Sequence, residues 1–276
     1  MAPRMRRIVI ILAAAIAPAL AACGTNAPGH AHAHPVASAA PVWTLVALGD
    51  SLAQARPQDC AGCIGYPALY GRAVRKATGT RVTVISRATP SIDSAQLLAQ
   101  VRSDNSLRAE LAKAGIITVT IGHNDTPWVS DNDPCDGSQS HDHANWSRYT
   151  PACVATTAHR LRSNLGQVLG ELAKLRAGKS TAILVTNFYN DNMKDPLADP
   201  GGDAASKYVV DTYSTVICQA ARAHHTACAD IYHAFNGAQG TQFDGPYVAA
   251  DHVHPSLAGE QLIAQVLQNL GYAPLR

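Results

Sequence analysis

Three polar segments that lie far apart in the chain each stand where an apolar run ends or a helix begins. They are Leu48-Gly49-Asp50-Ser51-Leu52 after the β-branched run 42–48, Gly122-His123-Asn124-Asp125 after the apolar run 116–121, and Asp251-His252-Val253-His254-Pro255 before the last amphipathic helix. The carboxyl ends of neighbouring parallel strands meet at one edge of a sheet, where loops reach solvent. The sequence therefore predicts that the three segments come together at such an edge.

The residue types in these segments are those of nucleophilic catalysis. A serine hydroxyl near neutral pH needs a histidine to take its proton, a carboxylate to orient that histidine, and donors for the developing oxyanion. We assign these roles, in that order, to Ser51, His254, Asp251 and Asn124. We also expect His254 to cap a helix whose first residue is Pro255, because proline suits the first helical position.

Two competing assignments are disfavoured. Asp230 and His233 share the Asp-x-x-His spacing, but they fall at the predicted strand 227–231, where residues three apart point to opposite faces. The segment Gly49-Asp50-Ser51-Leu52-Ala53 lacks the closing glycine of the Gly-x-Ser-x-Gly nucleophile elbow. An α/β-hydrolase with that elbow is therefore not expected.

In their order and combination, the polar segments resemble those of the SGNH, or GDSL-type, serine esterase and lipase family, and the resemblance spans roughly Val42 to Leu270. It implies a flavodoxin-like SGNH hydrolase fold and hydrolysis through a Ser51, Asp251 and His254 triad with an acyl-enzyme intermediate. The resemblance implies no metal and no organic cofactor.

The resemblance also implies an oxyanion hole built from the Ser51 N–H, the Asn124 side chain and a third donor. Where the family has a Ser-Gly pair after the second strand, this chain reads Arg87-Ala88-Thr89-Pro90-Ser91. The gapless match places Ser91 at the glycine whose N–H completes the hole. A shift by one residue would place Pro90 there, which has no N–H to donate.

Outside the polar segments, apolar runs alternate with helical patterns along the chain. Such alternation favours a mostly parallel sheet covered by helices on both faces. We therefore predict an α/β fold, with a single three-layer α/β/α domain over 42–276 and a mostly parallel five-stranded sheet. The predicted strands are 42–48, 81–85, 116–121, 182–186 and 227–231, and the predicted helices are 67–78, 91–101, 156–176, 204–225 and 256–270.

The segment 1–22 is typical of an export signal, with a basic start and an apolar stretch too short for a comfortable membrane span. It ends Leu20-Ala21-Ala22-Cys23-Gly24, which resembles the bacterial lipoprotein cleavage box and implies lipidation of Cys23. Ordinary signal cleavage that leaves an incidental thiol is the alternative. The Ala, Pro and His composition of 23–41 predicts a flexible tether. We therefore expect an extracytoplasmic protein, lipid-anchored to the bacterial membrane through Cys23 or secreted.

The remaining six of the seven cysteines form an even set, which suits an oxidising compartment. Proximity along the chain favours the disulfides Cys60–Cys63, Cys135–Cys153 and Cys218–Cys228, although six cysteines permit many other connectivities. The first pair also matches a redox or zinc Cys-x-x-Cys, but it follows loop-like residues, so we prefer a structural disulfide.

Charge excludes one class of partner. Removal of 1–22 takes away three of the 22 basic residues, which leaves 19 Lys and Arg against 20 Asp and Glu. No basic patch is interleaved with aromatic residues, and no glycine-rich phosphate loop follows a strand. We therefore expect no nucleic-acid partner.

A long polar insertion between Trp128 and Ala152 is predicted to form one wall of the cleft. We interpret it as a solvated surface loop, with calcium or zinc binding as the alternative for its acidic and histidine residues. Those residues are Asp131, Asp133, Asp136, His141, Asp142 and His143. The aromatic residues Trp128, Trp146 and Tyr149 either contact substrate or pack this loop against the body.

The sequence thus predicts a monomeric extracytoplasmic esterase or lipase that acts on acyl or acetyl esters of lipids, cell-wall glycans or extracellular polymers. Two other readings stay open. One is a non-catalytic surface lipoprotein that binds glycan or lipid in the same cleft. The other is a metal-binding lipoprotein built on the acidic loop and on His30, His32 and His34 of the tether.

Overall fold

The computed structural model describes residues 42–129, 134–135, 145–198 and 201–275. The predictions for the signal peptide 1–22, for Cys23 and for the tether 23–41 lie outside the described residues. So do Asp131, Asp133, Asp136, His141, Asp142 and His143 of the polar insertion. None of the helices in the described ranges is long and apolar enough to cross a membrane.

Five strands form one sheet in the order β2-β1-β3-β4-β5, and each neighbouring pair is parallel. The core of the sheet is apolar, and the β3 side chains are buried along their whole length. Both faces must therefore be covered, as the continuous apolar runs predict. The strands are β1 Val42–Gly49, β2 Arg81–Ser86, β3 Ile116–Thr120, β4 Ala182–Thr186 and β5 Ala227–Ala229.

Seven α-helices accompany the sheet in the described part of the chain. The first and last helices pack against each other, and the second and fifth both pack against the fourth. Because crossovers between parallel strands are right-handed, these two groups cover opposite faces. The helices are α1 Tyr66–Thr78, α2 Ser94–Ser103, α3 Asn105–Leu111, α4 Pro151–Leu175, α5 Asp203–Ala223, α6 Ile231–Asn236 and α7 Leu257–Asn269. The predicted α/β fold with five strands is confirmed.

Two predicted helix starts are wrong, and capping residues explain why. The helix predicted from Ser91 begins at Ser94, because Asp93 forms a capping box with Gln96. The last helix begins at Leu257, where the Ser256 hydroxyl accepts the Gly259 N–H at 3.2 Å. Neither Pro255 nor His254 therefore belongs to the start of that helix.

A buried carboxyl group joins α7 to the start of α1. Glu260 is almost fully buried, and its Oε2 accepts a hydrogen bond from the Tyr66 N–H at 2.6 Å. Burial raises the pKa of Glu260 to about 8, and the Tyr66 N–H only partly opposes this effect. The folded chain therefore holds a proton at this carboxyl at pH values where the unfolded chain has lost it.

This proton predicts a pH-dependent stability. Because the folded-state pKa of Glu260 exceeds its ordinary value of 4.5, the free energy of unfolding falls as pH rises between the two values. We expect Glu260→Gln, which keeps an oxygen acceptor for Tyr66, to reduce this slope by at most about 1.4 kcal/mol per pH unit. Urea denaturation at pH 5, 6, 7 and 8 measures the slope.

Glu171→Gln is the matched control for this comparison. A hydrogen bond from Lys174 holds the pKa of the Glu171 carboxyl below its usual value, so that group is ionised in both states above pH 5. Its variant should keep the wild-type slope. Equal slopes for wild type and Glu260→Gln would contradict the role given to the buried carboxyl.

Candidate active site

The first two polar segments lie side by side because β1 and β3 are neighbours. Gly49 pairs with Thr120, and the Asp50 N–H donates to the Thr120 carbonyl oxygen at 3.1 Å. A Cβ atom on Gly49 would lie 1.8 Å from that oxygen, and Gly49 has a φ of 136°. Only glycine fits here. Ser51 then opens a short 3-10 turn beside the 3-10 turn His123–Asp125.

Asp50 is fully buried beneath the serine turn. Its Oδ1 accepts the Leu52 N–H at 2.9 Å, and its Oδ2 has no hydrogen-bond partner among the described residues. Burial raises the pKa of Asp50 to about 6, although His123, the Leu52 N–H and His254 all act to lower it. A buried carboxyl with a raised pKa thus directly precedes Ser51 in the chain.

The segment after β2 is held against the end of β1 by backbone hydrogen bonds. The Thr89 N–H donates to the Gly49 carbonyl at 2.9 Å, which keeps the chain beside the serine turn. Ser91 follows in an exposed turn with a φ of 61°, a conformation that favours glycine. The backbone at Ser91 therefore has the geometry expected of a glycine position.

Three hydrogen-bond donors lie on the loops at this edge. Neither the Ser51 N–H nor the Ser91 N–H donates to any acceptor in the described ranges. Asn124 is partly buried, and its Nδ2 donates one hydrogen to the Ile92 carbonyl at 3.0 Å. The second hydrogen of that amide remains available.

The third polar segment folds into a turn that pairs its acid with its base. Asp251 Oδ1 accepts the N–H groups of Val253 and His254 at 3.1 and 3.0 Å, and its Oδ2 lies 2.7 Å from His254 Nδ1. Burial alone would raise the pKa of Asp251, but the His254 N–H and ring, with the Val253 N–H, hold it below its usual value. Asp251 is therefore ionised and fixes the orientation of the imidazole.

Two contacts from the loop after β4 support this turn. The Tyr189 hydroxyl donates to the Val253 carbonyl at 2.6 Å, and Asp195 Oδ2 lies 2.6 Å from His252 Nδ1. His252 has a φ of 61°, so the contact also holds a backbone conformation that side chains with a Cβ disfavour. No spacing in the sequence predicts either contact.

The reactive nitrogen of His254 is not engaged in the structure. Nε2 is buried and has no hydrogen-bond partner among the described residues, so Ser51 Oγ is not bonded to it. Asp59 Oδ2 lies 3.9 Å from Nε2. Asp59 is itself held by Arg56, whose Nε and Nη2 donate to its two oxygens at 2.5 and 2.9 Å. Asp59 was not among the predicted site residues, because no spacing in the sequence relates it to His254.

Asp59, Asp251 and His254 are also close enough to be tested as a metal site, since one ligand atom from each lies within 4.8 Å of the others. Both carboxylates already have cationic or N–H partners, Arg56 for Asp59 and His254 for Asp251. The cluster is therefore stabilised by its own hydrogen bonds. The expectation that the enzyme needs no cofactor remains a prediction.

A second histidine and acid pair lies beneath the site. His123 Nε2 is 2.9 Å from Asp191 Oδ2, and both side chains are buried. Burial by itself lowers the pKa of His123, but Asp191, with a further contribution from Asp50, raises it above its usual value. This pair ties the loop that carries Asn124 to the loop after β4.

Asp125, the last residue of the second segment, anchors α2. Its two carboxylate oxygens accept the Ser94 hydroxyl at 2.5 Å and the Ser94 N–H at 3.0 Å. Burial raises the pKa of Asp125 to about 7, although both bonds from Ser94 act to lower it. The Tyr213 hydroxyl donates to the Asp125 carbonyl at 2.8 Å. Asp125 thus has a structural part in positioning Asn124.

The prediction that the side chains of Asp230 and His233 point to opposite faces of a strand is wrong. The strand β5 ends at Ala229, and Asp230 caps α6, so its Oδ2 lies 2.7 Å from His233 Nδ1. Helix geometry brings residues three apart onto one face, whereas a strand would separate them. Asn187 donates to Asp230 Oδ1 at 2.8 Å, which completes a cluster separate from His254.

The aromatic residues of the polar insertion pack against one another. The ring centroids of Trp128 and Trp146 are 5.6 Å apart, and those of Trp146 and Tyr149 are 5.3 Å apart. Tyr149 is buried. Of the two interpretations of these rings, the structure therefore favours packing of the loop against the body.

The three expected disulfides are present. Cys60–Cys63 lies in the loop after Ser51, Cys135–Cys153 closes the polar insertion, and Cys218–Cys228 joins α5 to β5. Closure of these loops lowers the entropy of the unfolded chain, which stabilises the folded domain.

Comparisons with known proteins agree with this architecture. The model of the GDSL-like Lipase/Acylhydrolase family matches residues 47–262. The crystal structure of the lipase Lip_vut3 from a goat rumen metagenome is similar, with a TM-score of 0.68 and 19% identity over 85% of this chain and 100% of that chain.

Two other solved structures are similar over comparable lengths. The acetylxylan esterase Axe2 from Geobacillus stearothermophilus has a TM-score of 0.56 and 20% identity, covering 86% of this chain and 98% of that chain. The α/β hydrolase enzyme LAE5 from the metagenome of Lake Arreo, Spain, has a TM-score of 0.55 and 19% identity, covering 83% and 95%. A comparison with curated proteins finds no match.

The structural likenesses establish a shared fold, and the family match extends over most of the chain. The resemblance drawn from the polar segments is therefore confirmed. The chain belongs to the GDSL-like lipase/acylhydrolase family and is a carboxylic ester hydrolase.

Proposed function

We propose that this protein is an extracytoplasmic serine esterase in which Ser51, His254 and Asp251 form the catalytic triad. The observation that carries the proposal is the 2.7 Å contact between Asp251 and His254, which leaves His254 Nε2 buried and without a hydrogen-bond partner among the described residues. An imidazole that is oriented through Nδ1 can act as a general base through Nε2. Only a hydrogen bond from the Ser51 hydroxyl to Nε2 is missing.

The reaction proceeds in two acyl transfers. Ser51 Oγ turns toward His254 Nε2, gives it the hydroxyl proton and bonds to the ester carbonyl carbon. The imidazolium then protonates the leaving alcohol as its bond to the carbonyl carbon breaks, which leaves an acyl-serine. His254 then takes a proton from water as the water oxygen bonds to the acyl carbon. The bond from that carbon to Ser51 Oγ breaks, the acid leaves, and His254 returns the proton to Ser51 Oγ. Asp251 is ionised and stabilises the imidazolium in both steps.

The oxyanion is stabilised by three donors. These are the N–H groups of Ser51 and Ser91, which have no acceptor among the described residues, and the remaining hydrogen of the Asn124 amide. Donors that are fixed before the reaction stabilise charge without reorganisation. The glycine-like φ of Ser91 supports the gapless match over the shift that would place Pro90 in this role.

The substrate is an ester with a short acyl group, such as an acetyl ester of a lipid, a cell-wall glycan or an extracellular polymer. A polar cavity of about 160 Å³ adjoins Asn124 and is lined in part by Arg160 and Asn164. Neither Ser51 nor His254 lines this cavity. The preference for a short acyl group rests instead on the small number of phenylalanines, three in the whole chain, which supply few large apolar side chains for a long alkyl group. The fold shared with the acetylxylan esterase Axe2 is compatible with this choice.

We expect Ser51→Ala to reduce hydrolysis of p-nitrophenyl acetate by more than about a thousandfold, because the acyl acceptor is lost. Turnover measured on p-nitrophenyl esters of increasing chain length also reports acyl preference, with acetate expected to be fastest. A fluorophosphonate probe should label wild type and not the variant.

Ser103→Ala, on the exposed end of α2, is the control and should retain full activity. Undiminished turnover in Ser51→Ala would refute the assignment of the nucleophile. A wild-type protein that neither hydrolyses esters nor reacts with the probe would favour the non-catalytic binding role.

We expect Asn124→Ala to lower kcat by about a hundredfold to a thousandfold with little change in KM, because the amide acts chiefly on the oxyanion. Asn124→Asp keeps the size of the side chain but removes the donor, so it should show a similar loss. Steady-state kinetics on p-nitrophenyl acetate measure both effects. A kcat near the wild-type value in both variants would remove Asn124 from the oxyanion hole.

We also propose that Cys23 carries a lipid anchor. All six other cysteines are paired in disulfides, which suits an oxidising compartment. We expect Cys23→Ser to move the protein from the membrane fraction to the soluble extracellular fraction, measured by immunoblotting after fractionation. Cys60→Ser is the control that changes a cysteine without removing the anchor. Membrane retention of Cys23→Ser would count against lipidation.

A further inference from the structure

A groove on the outer surface of α4 shares no lining residue with the Ser51 and His254 site. It has a volume of about 460 Å³. Its lining residues are His159, Arg162, Ser163, Gly166 and Gln167 of α4, and His224 just after α5. The groove therefore lies where the end of α5 meets the middle of α4.

Two glycines of α4 make room for this groove. A Cβ atom on Gly166 would lie 3.5 Å from His224 Nε2, and one on Gly170 would lie 3.7 Å from His224 Cε1. The His224 ring thus lies over two glycines of α4 that are one helical turn apart. The imidazole stays close to the helix and faces the same groove as Arg162.

The side chains of this groove offer hydrogen-bond donors and no carboxylate. Within the described residues, the side chains of His159, Arg162 and His224 make no hydrogen bond or ion pair. Each imidazole has at least one nitrogen that can donate, and the guanidinium has five N–H groups. These donors are available to a ligand.

A second guanidinium reaches the rim from α2. Arg102 Nη2 donates to the Gln167 side-chain oxygen at 2.7 Å, which brings its positive charge to the groove. The acidic residue farther along α4, Glu171, is engaged by Lys174 at 2.8 Å and faces Arg108 at 3.7 Å. The groove thus keeps an excess of positive charge.

We propose that this groove binds a phosphate-type oxyanion. Arginine matches the geometry of phosphate oxygens with paired N–H donors, and imidazoles and a serine hydroxyl supply further donors. A neutral polyol would also need acceptors, and the groove has few. The same chemistry is present in inorganic phosphate and in the headgroup of an anionic phospholipid.

The test uses the Cys23→Ser chain, so that no acyl anchor contributes to vesicle binding. Isothermal titration calorimetry with inorganic phosphate at low ionic strength measures the free anion. Cosedimentation with vesicles of phosphatidylglycerol and phosphatidylcholine, against phosphatidylcholine alone, measures the headgroup. Because the groove is exposed to solvent, binding should weaken on addition of sodium chloride.

We expect Arg162→Gln and His224→Gln each to weaken binding about tenfold or more, because a charge-assisted hydrogen bond is lost. Arg72→Gln removes one exposed arginine of α1, outside the groove, and should bind as wild type does. All three variants should keep full esterase activity, which shows that they are folded.

The outcomes separate the sources of the ligand. Phosphate binding that depends on Arg162 and His224, without vesicle binding, assigns the groove to a soluble phosphate. Dependence of vesicle binding on the same two residues assigns it to a lipid headgroup. Absence of both, or binding that is equal in all three variants, overturns the proposal.

Discussion

The close approach of Gly49 to Thr120 is the constraint on which the rest of the site depends. The backbone of β1 meets the end of β3 so closely that a single added carbon would overlap the Thr120 carbonyl. The adjacent Asp50 N–H bonds to that same carbonyl, which fixes how the chain leaves the strand. This contact helps to set the distance between Ser51 and Asn124, because Ser51 follows the end of β1 and Asn124 the end of β3 within a few residues. A side chain at Gly49 would therefore displace both functional loops.

The buried acids around the site make the stability of the fold depend on pH. Burial raises the pKa of Asp50 to about 6 and that of Asp125 to about 7. A carboxyl with a raised pKa is costly to keep ionised in the fold, so these groups lower stability as pH rises through the range between their ordinary and shifted values. Asp251 differs because it is exposed and because three hydrogen bonds, from the Val253 and His254 N–H groups and from the His254 ring, hold its charge. Of these three carboxylates, the one that we propose for the triad accepts the most hydrogen bonds.

Local patterns in the sequence were enough to predict the sheet, and also the strand ends and the turn that carry the candidate triad residues. Strand 182–186 was predicted to the residue, and Ser51, Asn124 and Asp251 lie at strand ends or in the turn that the motifs indicate. The pairing of Asp251 with His254 also followed from spacing once a turn was assumed. These features depend on neighbours in the chain, which a sequence records directly.

Contacts between distant segments could not be predicted in the same way. The partnership of His123 with Asp191 joins loops after two different strands, and no local pattern marks it. The Asp230 and His233 pair was missed because the strand β5 ends earlier than its apolar run suggests. One capping carboxylate there replaces extended geometry with helical geometry. The chain changes from strand to helix within two residues of Ala229. The prediction that the Asp230 and His233 side chains point to opposite faces is therefore wrong.

Backbone strain at the site gives a physical reason for some of these distant contacts. Four residues other than glycine have positive φ in the described part of the chain, namely Ser91, Lys194, His225 and His252. Each such conformation costs about 1–2 kcal/mol, so the surrounding structure must hold it. His252 is held by Asp195, and the Lys194 N–H donates to Asp203 at 3.0 Å. Asp195, in the loop after β4, therefore helps to maintain the turn that carries His254.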